Sequence, residues 1–86
     1  MRLELRILTF MDALEKDEML KKVGMRVKEL RVKAGYKSHE QFAFDNNIQP
    51  KQMWRWESGY DFKVSSLIRI ANIHKITLEE FLKGIE

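Results

Sequence analysis

Eighty-six residues, 44% apolar and 34% charged, have the balance of a single globular domain near the size at which one core suffices. The absence of cysteine excludes disulfides and thiolate metal sites, and the two histidines, His39 and His74, lie too far apart in sequence to suggest a metal pair. The net charge of +3 is modest, but residues 1–22 carry five basic and five acidic side chains, so the whole excess falls in residues 23–86.

Residues 1–22 support two local readings. Leu3, Ile7, Phe10, Met11 and Leu14 recur at helical spacing, whereas Leu3, Leu5 and Ile7 alternate with Arg2, Glu4 and Arg6 as in a short strand. A helix over at least Phe10–Lys16 is preferred, with the first eight residues open. The apolar side of this extension is expected to cover the core or to meet a second protomer; a third option is translation from Met19, which leaves the preceding residues without a role. Glu4 and Arg6 interrupt any signal-peptide core, and no apolar run is long enough for a transmembrane helix, so a cytoplasmic protein is expected.

A first domain helix is expected from Asp17 to Ala34, with Met19, Val23, Val27, Leu30 and Ala34 as its buried stripe and Gly35 as its cap. Ser38 with Gln41 forms a capping box that opens a helix over 39–46 with Phe42 and Ala43 inward. Asn46-Asn47 ends it, since Asn tolerates the left-handed conformation of a C-terminal cap. Pro50, at a first helical position where its missing N–H costs nothing, starts the next helix over 50–58. Met53 and Trp56 share the inner face of that helix, and Gly59 closes it. A helix over 64–73 should bury Val64, Leu67, Ile68 and Ala71. Thr77 with Glu80 caps a final short helix burying Leu78, Phe81 and Leu82. The expected fold is all-α, with an N-terminal extension over 1–22 and a helical domain over 23–86.

Two short helices joined by so tight a turn read as a helix-turn-helix, whose second member can enter the major groove. The segment Ser38–Gly59 resembles, without a gap, the helix-turn-helix of the Cro/C1-type (XRE-like) family of bacterial and phage regulators. The resemblance is carried by the Ser38 cap, Ala43 five residues later, Ile48 after the turn and Glu57-Ser58-Gly59 at the end. Residues 23–31, 66–71 and 76–81 resemble the first, fourth and fifth helices of the family. The resemblance implies a compact five-helix, lambda-repressor-like domain that binds double-stranded DNA as a transcriptional regulator, most simply a homodimeric repressor.

Carried onto this chain, the family pattern puts base-reading positions at Pro50, Lys51 and Arg55. Lys51 and Arg55 suit guanine O6 and N7. Pro50 departs from the pattern by offering no polar side-chain atom, and Gln52 and Trp54 are the compensating candidates. Phosphate contacts are expected from Ser38, His39, Gln49, Ser58 and Lys63, with Tyr60 packing over the following turn in preference to bonding a phosphate. The family also implies a structural ion pair between Glu57 and Arg31. His74, where the family often has Leu, reads as a half-buried packing residue, and Glu79-Glu80 as a capping pair rather than an acid/base dyad. Neither a cofactor nor catalysis is expected, because there is no Cys nucleophile, glycine-rich phosphate loop or spaced carboxylate–His set. The alternative function is a protein-interaction module or antitoxin on the same scaffold, motivated by Pro50, Trp54 and residues 1–22.

Overall fold

The computed structural model describes the backbone of residues 2–85 and the side chains of residues 13–85. Five helices follow one another: α1 Arg2–Lys33, α2 His39–Asp45, α3 Pro50–Glu57, α4 Val64–Ile73 and α5 Leu78–Lys83. There is no strand among the described residues, and no helix there is long and apolar enough to cross a membrane.

The N-terminal region differs from expectation. Helix α1 begins at Arg2 rather than Asp17, and its backbone runs unbroken across Lys22-Val23. Neither proline nor glycine interrupts residues 2–23, and Leu, Glu, Arg, Lys and Met dominate them, so helix propensity settles what periodicity left ambiguous. At about 1.5 Å per residue, the 32 residues of α1 account for most of the molecule's 52 Å long axis. Leu14 and Met19 are exposed. The disposition of the Leu3, Ile7, Phe10 and Met11 side chains lies outside the described residues.

The core therefore starts at Val23, where α1 reaches α3. Val23, Val27 and Leu30 of α1 meet Phe42 and Ala43 of α2, Ile48 of the turn, Met53 and Trp56 of α3, Ile70 and Ala71 of α4, and Phe81 of α5. Met19 falls before this core and Ala34 beyond it, which is why both ends of the expected stripe are solvated. Helix α4 is rotated from the expected face, keeping Leu67 and Ala71 inward but not Val64 and Ile68. Ile70 and Ala71 are buried and Leu67 half-buried, while Val64 is 65% exposed and Ile68 43%. Six apolar residues spread around this helix allow two overlapping stripes, and His74 extends the one that is chosen. On α5, Phe81 is buried, Leu78 half-buried and Leu82 exposed.

Gly24 fixes the crossing of α1 and α3. A Cβ at this position would lie 2.8 Å from the carbonyl oxygens of both Trp56 and Glu57. Neither is the end of a flexible side chain, so relief requires moving a helix. Gly24→Ala is expected to lower stability by about 1–3 kcal/mol through overpacking, overriding the ~1 kcal/mol that alanine gains in helix propensity. A urea midpoint shifted downward with an unchanged m-value is the expected result; an upward shift would show that the crossing opens freely.

Helices α1 to α4 all end in the same way. Tyr36 N–H donates to Arg31 C=O (3.1 Å), Ile48 to Ala43 (2.8 Å), Tyr60 to Arg55 (3.1 Å) and Ile76 to Ala71 (3.0 Å). These are the 6→1 bonds of Schellman caps, and the residue before each donor has positive φ: Gly35 +93°, Asn47 +57°, Gly59 +91° and Lys75 +58°. In three of the four, the donor's side chain (Tyr36, Ile48 or Ile76) returns to the core; Tyr60 does not. The N-terminal caps are simpler than expected. Ser38 Oγ accepts from Glu40 and Gln41 N–H, but the Gln41 side chain donates to Asp45 (2.9 Å) instead of reaching back. Thr77 Oγ1 accepts from Glu80 N–H at 3.1 Å.

Two arginines make long-range ties that no local pattern signals. Arg26 donates from Nε to Phe81 C=O (3.0 Å) and from Nη2 to Glu80 C=O (3.2 Å), fastening α5 to α1. Its guanidinium occupies the space that a Cβ at Gly84 would need. Arg69 donates from Nη2 to Asn47 C=O (2.8 Å) and Asn46 C=O (3.3 Å), placing a cation at the C-terminus of α2.

His74 stacks on Phe42 with ring centroids 5.3 Å apart and planes 12° from parallel. Its Nε2 is buried without a hydrogen-bond partner among the described residues. Burial, and secondarily the charge of Arg26, hold its pKa below the ordinary 6.5. The unfolded chain then takes up the proton first. This contribution to stability is intact above about pH 6.5 and is lost as pH falls through the lowered folded pKa. His74→Leu is expected to raise stability by about 1–3 kcal/mol and to narrow the difference in melting temperature between pH 7.5 and 5.5. An equal difference in variant and wild type would assign the slope to other groups.

Candidate nucleic-acid interface

Helix α3 owes its orientation to an inner face that has no alternative. Met53 and Trp56 are buried, and Trp56 stacks on Phe62 at 5.3 Å. Gln49 precedes the helix in extended conformation (φ −68°, ψ 131°), and Pro50 takes the first helical position. At about 100° per residue, Pro50, Trp54, Ser58, Lys51 and Arg55 succeed one another around an outward arc of roughly 140°. All five are exposed.

The electrostatics of this arc depend on Glu57. Its carboxylate turns inward and is held by Arg31 in a bidentate pair, Nε–Oε2 2.7 Å and Nη2–Oε1 3.0 Å. Arg31 is only 4% exposed, and its Nη1 donates to Tyr36 C=O at 2.8 Å. The outward face of α3 therefore carries two cations, Lys51 and Arg55, and no carboxylate. The same pair bonds α3 to α1, so the arc is presented on a fixed scaffold.

Gln52 is half-buried at the edge of α3 and opens onto a groove of about 660 Å³ between this helix and the start of α4. Gln49, Arg55, Tyr60, Lys63, Ser66 and Arg69 also line it. Asp61 is the acid among the lining residues, and Lys16 of α1 lies 3.6 Å from its carboxylate. Both side chains of that pair are mostly exposed, so its energetic value is small.

The sequence-derived candidates thus separate into three places. Lys51, Trp54, Arg55 and Ser58 share the outward arc, with Ser58 as the C-cap of α3. Gln49, Gln52 and Lys63 line the groove, which Arg55 reaches from the arc. Ser38 and His39 stand at the start of α2 and do not line the groove; Ser38 Oγ is engaged as the cap, and His39 is half-buried. Arg69 and Ser66 were not among the candidates. Arg69 is the only charged residue of α4, and an isolated charge in an otherwise apolar and small-polar helix was the available signal.

Trp54 and Tyr60 are 46% and 52% exposed, with ring centroids 5.8 Å apart and planes tilted by 45°. The guanidinium carbon of Arg55 sits 5.8 Å from the Tyr60 ring centroid. Tyr60, expected to pack over the turn after α3 or to bond a phosphate, packs against Trp54 and Arg55 of α3 and lines the groove.

Among the described residues no three acidic or imidazole side chains converge as a metal site requires. Comparison with protein-family models, with curated proteins and with solved structures gives no match.

Proposed function

We propose that the chain is a sequence-specific DNA-binding regulator, acting as a cytoplasmic repressor, with α2 and α3 as a helix-turn-helix and α3 in the major groove. The observation that carries this reading is the composition of the outward arc: Lys51 and Arg55 exposed side by side, with Glu57 withdrawn into a buried pair. A helix fits the major groove, where guanine presents O6 and N7 to such cations. Trp54 and the half-buried Gln52 are the flanking readers. Ser38, His39, Gln49, Ser58 and Lys63 supply phosphate contacts that set the register of α3, and Arg69 stiffens the turn between the two helices.

Pro50 occupies one end of the arc with no donor or acceptor, so one domain reads few base pairs. A homodimer on a two-fold site recovers affinity by spanning half-sites about one helical turn apart. Selection from a random duplex library at about 0.1 M salt tests the proposal directly. An enriched inverted repeat is expected; no enrichment rejects the reading. Neutralising about five phosphates gives a log–log salt slope near −4 to −5.

A second reading rests on exposed aromatic surface. Phe44 of α2 is 81% exposed, and with Trp54 it gives a protein partner such as a toxin something to bury. A stable monomer with no affinity for duplex DNA at low salt supports this reading over the first.

A further inference from the structure

We propose that Tyr60 is a positioning residue that aims Arg55, with Trp54 as its buttress, and so determines specificity without itself reading a base. The proposal rests on the DNA-binding reading of α3 and assigns a role to a residue outside that helix.

The argument starts from the way α3 ends. In a Schellman cap the residue after the left-handed position folds back over the residue whose carbonyl it bonds, and the two side chains commonly touch. Here Gly59 is the left-handed residue (φ +91°), and Tyr60 N–H bonds Arg55 C=O at 3.1 Å. The equivalent residues after α1, α2 and α4 are Tyr36, Ile48 and Ile76, and each spends this geometry on the core. Tyr60 alone is left outside, at 52% exposure, and the side chain it meets is Arg55. The Trp54 ring also meets the Tyr60 ring, with centroids 5.8 Å apart.

A long arginine on a helix surface ordinarily samples many rotamers, and ordering it against a base costs affinity for the duplex that carries that base. A ring face that attracts the guanidinium restricts that sampling before binding. The Tyr60 hydroxyl has no part in this, since the contact is with the ring. Arg55 and Tyr60 both line the groove between α3 and α4, so without the ring the guanidinium is free to leave this shared position. Tyr60 thereby pre-orders Arg55 for the contact it makes on DNA.

The test compares wild type, Tyr60→Ala and Tyr60→Phe on the duplex that wild type selects and on single-base variants of it. Tyr60→Ala is expected to reduce discrimination at one base pair of each half-site by about tenfold, within the range of one good arginine–guanine contact. Affinity for unrelated duplex and the salt slope stay unchanged, and Tyr60→Phe behaves as wild type. In the free protein, the Arg55 Nε–H resonance is expected to be ring-current shifted and ordered in wild type and Tyr60→Phe, and to lose both properties in Tyr60→Ala. Full discrimination by Tyr60→Ala, or loss of discrimination by Tyr60→Phe, overturns the proposal, the latter by making the hydroxyl a direct contact. Wild type that selects no sequence removes the DNA-binding reading and this proposal with it, a result visible before any variant is made.

Discussion

Glu57→Ala is expected to lower the unfolding free energy by about 3–5 kcal/mol, a large part of the ~5–15 kcal/mol typical of a folded domain. The cost comes from what is left behind. Arg31 is 4% exposed and spends Nε and Nη2 on Glu57, so losing the carboxylate strands a desolvated guanidinium with Tyr36 C=O as its remaining acceptor. Arg31→Ala is expected to cost a similar amount by leaving the Glu57 carboxylate, itself 10% exposed, without its partner. The double variant Arg31→Met/Glu57→Leu removes both charges and keeps most of the volume, and it should be more stable than either single alanine variant. Urea denaturation of wild type, the two single alanine variants and Arg31→Ala/Glu57→Ala closes the cycle. Additive losses would mean that the two groups stabilise the fold separately rather than as a pair.

This pair illustrates how unevenly the structure was written into the chain. Ser38, Asn47, Pro50, Gly59 and Thr77 mark helix ends because caps and left-handed turns depend on one or two residues and their immediate neighbours. The outward arc of α3 was legible for a related reason: once Met53 and Trp56 are taken as core, helical geometry leaves Lys51, Trp54 and Arg55 outside. Interactions that span the chain were not legible. Arg26 to Phe81 joins residues 55 apart, Arg69 to Asn47 joins residues 22 apart, and neither leaves a periodic trace. Arg31 with Glu57 was anticipated only through a family resemblance, not through spacing. The inner face of α4 was legible only in part: Leu67 and Ala71 turn inward as expected, but apolar residues surround that helix, so nothing local favoured Ile70 over Val64 and Ile68. Tyr60 shows a subtler limit. Its backbone position followed from Gly59, but its departure from the core depends on what the other caps already fill.

Replacing both Lys51 and Arg55 by alanine is expected to abolish sequence preference while leaving the fold intact. Two contacts worth about 1–3 kcal/mol each together approach the lower end of the ~4–10 kcal/mol that separates specific from non-specific binding. Neither residue supports the scaffold. Both are exposed, and the contact Arg55 makes is with Tyr60, itself on the surface. Far-UV helicity and urea midpoint should therefore match wild type. The variant also lowers the net charge from +3 to +1, which weakens attraction to any polyanion. Lys28→Ala/Lys33→Ala is the matched control, since it makes the same charge change at two exposed positions of α1. That control should bind more weakly overall yet still prefer the selected duplex, whereas the α3 variant should bind selected and unrelated duplexes alike. If both variants keep the preference, the bases are read elsewhere and the outward arc of α3 is free for a protein partner. If both lose it equally, net charge rather than the position of the side chains governs binding.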